Sequence, residues 1–247
     1  MFIKPTFLRA VLLQTSAVCA STQPYHSVYA RHQDLQWGPC TLSSSLPIEC
    51  ANITVPLDYS SPNSTELLTF ELLKAPAVNK PSKGSLLMNF GGPGFPGRVS
   101  LAGGAEKLQI ITGGYHALIT FDPRGTGDVL PYSCYKNQAE SQAAGVLSQI
   151  VAGNSSDTTP RRLWGLADLL VDSCEAKNNE IGGVIGTAFV TRDMMRIVDA
   201  LGEDGLLRYV GFSYGTVLGA TFASMFPDRM DRVVLDGVLN PHEYYHG

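Results

Sequence analysis

Apolar and polar positions along this chain follow two different periods. Ile48 to Leu57 alternates, stops at the turn cluster Asp58-Tyr59-Ser60-Ser61-Pro62-Asn63, and is answered by Leu67 to Leu73; this predicts a hairpin of two edge strands. Beyond the hairpin, short apolar runs alternate with runs of helical period. Gly84 to Phe90, Ala117 to Phe121, Leu206 to Phe212 and Arg232 to Val238 read as buried strands; Val99 to Ile111, Thr187 to Leu201 and Thr216 to Phe226 read as helices. The helix over 187–201 has the clearest stripe, with Phe189, Met194, Ile197, Val198 and Leu201 on one side and Gly202 as its stop. Residues 134–186 form a helical excursion in two pieces around Gly153-Asn154-Ser155-Ser156, and Leu163, Leu166, Ala167, Leu169 and Leu170 give the second piece an apolar face.

Strands alternating with helices after an opening hairpin are the mark of an α/β fold, a mostly parallel sheet with helices on both faces. Such sheets bind ligands beyond the carboxyl ends of their strands. Gly91-Gly92-Pro93-Gly94, Asp122-Pro123-Arg124-Gly125-Thr126-Gly127 and Gly211-Phe212-Ser213-Tyr214-Gly215 all fall there.

The last of these is a serine on a sharp strand-to-helix turn, a geometry that lifts the hydroxyl out of the sheet and leaves room only for small residues two positions to either side. Gly211 and Gly215 supply that room, which makes Ser213 the candidate nucleophile. A neutral hydroxyl attacks poorly, so it needs a base for its proton and donors for the oxyanion it creates. The backbone amide of Tyr214 is one donor, and an amide from the Gly91-Gly92 loop is expected to be the other, since no helix or strand can continue through that glycine run.

Four stretches carry a resemblance. Asn89-Phe90-Gly91-Gly92-Pro93-Gly94, Asp122 to Gly127, Gly211-Phe212-Ser213-Tyr214-Gly215-Thr216, and Phe226-Pro227-Asp228-Arg229 leading to Val234-Leu235-Asp236-Gly237 resemble the secreted tripeptidyl aminopeptidases of the α/β-hydrolase fold, relatives of the prolyl aminopeptidases. The resemblance runs from about Trp37 onward. It implies a serine exopeptidase that removes short peptides from the free amino end of a peptide substrate through an acyl-enzyme, with no metal or organic cofactor. It also implies that Ser213 is the nucleophile and that the Gly91-Gly92 loop with Tyr214 forms the oxyanion hole. The family usually has Gly-Ser-Gly where this chain has Phe95-Pro96-Gly97, and serine where it has Asp128.

In this fold the triad acid and histidine follow the nucleophile on loops after two further strands. Only His242 and His246 follow Ser213 here. Asp236 and His242 would both have to come from one loop, so Asp236 is expected to brace its own turn, His242 and His246 to lie in a solvated tail, and His116 to be structural. The expected architecture is the amino-terminal part of an α/β-hydrolase domain over 47–247, truncated before the last strands and weak or inactive by itself. Its last strand would be an unpaired apolar edge open to pairing with another chain. An esterase or lipase of the same fold and a non-catalytic hydrolase-like binding module are the alternative functions.

Charge and cysteines refine this picture. Across 247 residues, 44% hydrophobic and 16% charged, the net charge is −4 with no cluster of Lys and Arg, so neither nucleic acid nor an anionic membrane is an expected partner. Residues 1–20 read as a secretory leader: Lys4 and Arg9, an apolar run from Ala10 to Val18, and Val18-Cys19-Ala20 before Ser21. A polar arm follows over 21–46. Asn52-Ile53-Thr54, Asn63-Ser64-Thr65 and Asn154-Ser155-Ser156 are glycosylation acceptors, in keeping with an extracellular protein. Without Cys19 four cysteines remain. Of the three connectivities, Cys40 with Cys50 and Cys134 with Cys174 is expected, the first closing a short loop and the second bridging the ends of the excursion. No Cys or His spacing points to a metal.

Overall fold

The computed structural model describes residues 34–61, 63–147, 155–178 and 180–246. The expected leader, the arm up to residue 33 and the acceptor Asn154 lie outside the described residues.

The strands are β1 (Gly38–Pro39), β2 (Glu49–Pro56), β3 (Leu67–Ala75), β4 (Ser85–Asn89), β5 (Ala117–Phe121), β6 (Leu207–Phe212) and β7 (Met230–Asp236), joined in the order β1-β2-β3-β5-β4-β6-β7. β5, β4, β6 and β7 run parallel, and the hairpin β2-β3 is added antiparallel through β3 and β5. The helices are α1 (Gly97–Ile111), α2 (Gln138–Leu147), α3 (Thr159–Asn178), α4 (Thr187–Leu201), α5 (Tyr214–Met225) and α6 (Pro241–His246). This is an α/β architecture with a mixed sheet whose parallel half carries the loops of interest.

Neither hairpin strand is an edge, contrary to expectation. β1 covers β2 through Gly38↔Cys50 and Pro39↔Glu49, and β3 pairs with β5. The physical reason lies in the second half of β3. Phe70, Leu72, Leu73 and Ala75 are all buried, so both of its faces are covered and it belongs inside the sheet.

Each face of the sheet has its own core. Leu101, Ala102 and Ala105 of α1 pack on Leu73, Met88, Leu118 and Val210. On the other face Met194, Ile197 and Val198 of α4, with Leu218 and Phe222 of α5, pack on Ile53, Leu72, Leu87, Ile119 and Tyr209. The α4 stripe does as its spacing predicts, and it ends where Gly202 adopts φ 65°.

α3 departs from its pattern. Trp164, Leu169, Leu170 and Val171 are 74%, 65%, 43% and 60% exposed, and no α3 side chain enters either core. A periodic apolar stripe specifies that a face wants cover without specifying what covers it. What ties α3 down is the bond between Cys134 and Cys174, together with Asn178 Nδ2 donating to Ser133 O (2.9 Å) and Lys177 donating to Tyr135 O. The other expected bond, between Cys40 and Cys50, is also formed.

One buried charge pair joins the hairpin to the helical layer. Arg124, 0% exposed, meets Asp193 of α4 through Nε–Oδ2 (2.6 Å) and Nη2–Oδ1 (2.9 Å). Its remaining N–H groups donate to Pro56 O, Leu57 O and Val184 O, while Tyr59 donates to Asp193 Oδ1 at 2.8 Å. Burial pushes the Asp193 carboxyl up, against the pull of the guanidinium and the Tyr59 hydroxyl. Arg124→Ala strands that carboxylate without its counter-ion and should cost about 3–5 kcal/mol in urea unfolding. The double variant Arg124→Met, Asp193→Leu should recover much of the loss, because the buried charge then disappears.

Candidate active site

β6 runs out at Phe212, and α5 begins two residues later at Tyr214. Between them Ser213 has φ 52° and ψ −118°, a backbone conformation that L residues rarely adopt. Its carbonyl accepts from Thr216 N (2.9 Å) and Thr216 Oγ1 (2.7 Å), and its N–H donates to Asp236 O (2.8 Å). A serine at a helix N-cap ordinarily spends its hydroxyl on the first-turn amides. Ser213 makes no such bond; the side chain is exposed while Tyr214 and Gly215 beside it are buried. Asp236, expected to brace its own turn, braces this one, through its carbonyl.

The glycines are sterically compelled. A Cβ on Gly211 would sit 2.3 Å from Gly215 O, and one on Gly215 would sit 2.9 Å from both Asn89 O and Asn89 Oδ1. Tyr209 secures the same turn by donating its hydroxyl to Gly215 O at 2.8 Å, and it packs so closely on Gly219 that a Cβ there would meet the ring at 2.7 Å. Sequence reasoning missed Tyr209, Gly219 and Asn89. An aromatic two residues before the first glycine was the one available signal.

The Gly91 loop lies directly against the serine. With φ 90°, a Cβ on Gly91 would come within 2.6 Å of Phe212 O and 3.0 Å of Ser213 Cβ. The Gly91 N–H itself donates to Asn89 Oδ1 (3.0 Å), so it is already engaged and is not the free donor expected. Among the described residues the amides of Gly92 and Tyr214 have no intrachain partner. Phe95 is 61% exposed, so its bulk is solvated rather than packed in either core. At position 97 the chain keeps the glycine of the family pattern, and glycine is required there: a Cβ on Gly97 would lie 2.4 Å from Phe121 O.

His242 and His246, expected in a solvated tail, lie on the exposed α6 with their rings tilted 4.6 Å apart, and among the described residues no histidine hydrogen-bonds the Ser213 hydroxyl. His116 is half-buried before β5, its carbonyl accepting from Gln109 Nε2 (3.1 Å). Burial, with Arg208 nearby, holds its imidazole below its usual pKa. The Tyr214 hydroxyl bonds Thr187 Oγ1 at 2.8 Å, and burial pushes its pKa up to about 12, which leaves it no capacity to act as a base near neutrality. Among the described residues no group of His, Cys, Asp or Glu could hold a metal ion, and no helix is long and apolar enough to cross a membrane.

A family model described as the alpha/beta hydrolase fold matches residues 93–245. The chain belongs to the α/β-hydrolase fold family. It is 33% identical over 220 residues to a tripeptidyl aminopeptidase of Streptomyces lividans, covering 86% of this chain and 40% of that protein. It is 30% identical over 216 residues to the serine protease Hip1 of Mycobacterium bovis, covering 85% and 40%. A carboxylesterase B of Mycobacterium tuberculosis is 32% identical over 148 residues, covering 59% and 27%. The chain thus spans about two-fifths of the length of the first two relatives.

Two predictions follow from this packing. Gly211→Ala drives a methyl group into the Gly215 carbonyl and should cost about 1–3 kcal/mol or more, read as a lowered thermal midpoint. Burial raises the phenol pKa of Tyr59, Tyr209 and Tyr214 above that of the unfolded chain. Stability should therefore be intact below about pH 10, the unfolded phenol value, and be lost as the pH climbs beyond it. Absorbance at phenolate wavelengths should show these three of the ten tyrosines titrating late, together with loss of the fold.

Proposed function

We propose that this chain carries the nucleophile and oxyanion-binding part of an extracellular serine peptidase that releases short peptides from the free amino end of its substrate. The observation that carries the proposal is Ser213: a strained, exposed residue whose backbone is fully hydrogen-bonded and whose hydroxyl, among the described residues, has no hydrogen-bond partner beside a glycine turn. In this reading Ser213 Oγ attacks the scissile carbonyl and gives up its proton to a base. The carbonyl oxygen becomes an oxyanion held by the Gly92 and Tyr214 amides, each such donor contributing about 3–4 kcal/mol to the transition state. The amine then leaves with the base's proton, and water cleaves the acyl-enzyme.

The base and its acid are assigned to polypeptide outside the described residues. β7 pairs with β6 alone among those residues, with Val233 and Val234 38% and 57% exposed. A strand added along that edge would end beside Ser213, because Asp236 at the end of β7 already bonds the Ser213 amide. Peptide rather than ester specificity is supported by the names of the tripeptidyl aminopeptidase and serine protease relatives; the carboxylesterase relative favours an ester, and the acyl chemistry is common to both. Export is supported by the two disulfides and by the exposure of Asn52 and Asn63.

Incubation with an activated acyl ester followed by intact-mass analysis tests the assignment. The chain should gain one acyl group slowly, Ser213→Ala should gain none, and a tripeptide anilide should turn over at no more than a trace. Rapid labelling by a fluorophosphonate would place the base within this chain after all. Acylation that survives Ser213→Ala would remove Ser213 as nucleophile.

A further inference from the structure

The loop that faces Ser213 begins at the end of β4 and returns to order at α1, and between them Gly91, Gly92 and Gly94 take φ values of 90°, 108° and 101°. A run of glycines has more conformational freedom to lose than any other sequence, so nothing intrinsic to it holds an amide in one place. A donor that stabilises an oxyanion must be in position before the charge develops. Two buried side chains lie at the two ends of the loop.

Asn89, 3% exposed, closes the leading end. Its Oδ1 accepts the Gly91 N–H (3.0 Å), and the same atom lies 2.9 Å from where a Cβ on Gly215 would stand, so it is wedged between the glycine loop and the turn that carries Ser213. Asp122, 6% exposed, closes the trailing end. α1 has Pro96 at its N-cap and no side-chain cap of its own; Asp122 Oδ1 reaches across from the end of β5 and accepts the Arg98 N–H (3.0 Å). Arg98 is further held by Glu71, Nη1 to Oε2 at 2.8 Å.

We propose that Asn89 and Asp122 are positioning residues that clamp the two ends of the Gly91–Pro96 loop and thereby fix the Gly92 amide against Ser213. The inference rests on reading Ser213 as the nucleophile, but the clamp can be measured without any reaction. Both side chains act through an acceptor oxygen, so Asn89→Asp and Asp122→Asn keep the contact, whereas Asn89→Ala and Asp122→Ala delete it.

The experiment follows amide hydrogen exchange of Gly91 and Arg98 by NMR, with amides of α4 as the internal control, alongside single-turnover acylation of Ser213 by an activated ester over a range of ester concentrations. Asn89→Ala should speed exchange at Gly91 at least tenfold and slow the acylation step about tenfold with the ester's half-saturation within twofold, a modest share of the hundredfold or more that outright loss of a donor brings. Asn89→Asp should keep Gly91 exchange within threefold of the parent, because the acceptor is retained, while its added negative charge beside the oxyanion site slows acylation. Asp122→Ala should act likewise at Arg98, with Asp122→Asn restoring it. Parent-like exchange in the alanine variants, equally fast exchange in the conservative variants, or loss of α4 protection to the same degree would overturn the clamp. A parent protein that is never acylated at Ser213 would sink the nucleophile reading, and the exchange data would still decide the clamp.

Discussion

At the end of β6 two stretches of backbone come closer than any side chain would permit, and the arrangement around Ser213 depends on that approach. With 2.3 Å between a hypothetical Gly211 Cβ and Gly215 O, the chain can turn from strand to helix within one residue. That residue then takes up the conformational strain. A single residue at φ 52° costs on the order of 1–3 kcal/mol. Opposing it are the Ser213 bonds to Asp236 and Thr216 and the Tyr209 bond to Gly215, each worth about 1 kcal/mol net. The opposing contributions are of similar size, so the strained serine persists only while β7, α5 and Tyr209 are all in place.

The loop after β5 performs a complementary task at the sheet's other parallel strands. Asp122 and Arg124 are two residues apart and reach to opposite layers: Asp122 to the first turn of α1, Arg124 to Asp193 of α4. One short loop thus ties together the helices on both faces of the sheet, and it does so beside the loop that faces Ser213. A buried Arg–Asp pair is weak support for stability in itself, since desolvation offsets most of the attraction. What the pair adds is location. Five donors of one guanidinium can be satisfied only where Pro56, Leu57, Val184 and Asp193 all converge, which fixes the hairpin end and the start of α4 relative to each other.

Features that depend on local covalent or periodic constraints were legible in the sequence. β5 and α4 fall where the pattern puts them, to the residue, because each is bounded by glycine or proline and patterned without interruption. The serine turn was legible because Gly211 is demanded by a contact four residues along the chain, with Gly215 O, whereas the demand on Gly215 comes from the distant Asn89. Contacts between distant segments were not legible. β3 looked like an edge because its first half alternates, and only the burial of Leu72 and Leu73 shows it to be interior. The engagement of the Gly91 amide went unseen for a related reason: Asn89, two residues earlier, read as one residue of the strand Gly84 to Phe90, and nothing in a linear pattern says that its side chain folds forward onto the loop.

The exposed apolar edge and the exposed, strained Ser213 belong to one geometric problem. β7 has the composition of an interior parallel strand, Val233-Val234-Leu235, with neither proline nor lysine within it, and its one irregularity, where Asp231 has no partner in the register with β6, falls at its start, before the valines. Asp231, Arg232 and Asp236 are its exposed charges, the Arg232 side chain being 82% exposed. A parallel neighbour on that side would bury the valines, and its carboxyl end would emerge level with Asp236, at the same height as the glycine loop and the serine turn. In parallel sheets every strand delivers its following loop to one rim. Under the proposed function, whatever polypeptide satisfies the hydrogen-bonding edge of β7 is the one placed to offer a proton acceptor to Ser213, so sheet completion and chemical competence would arrive together.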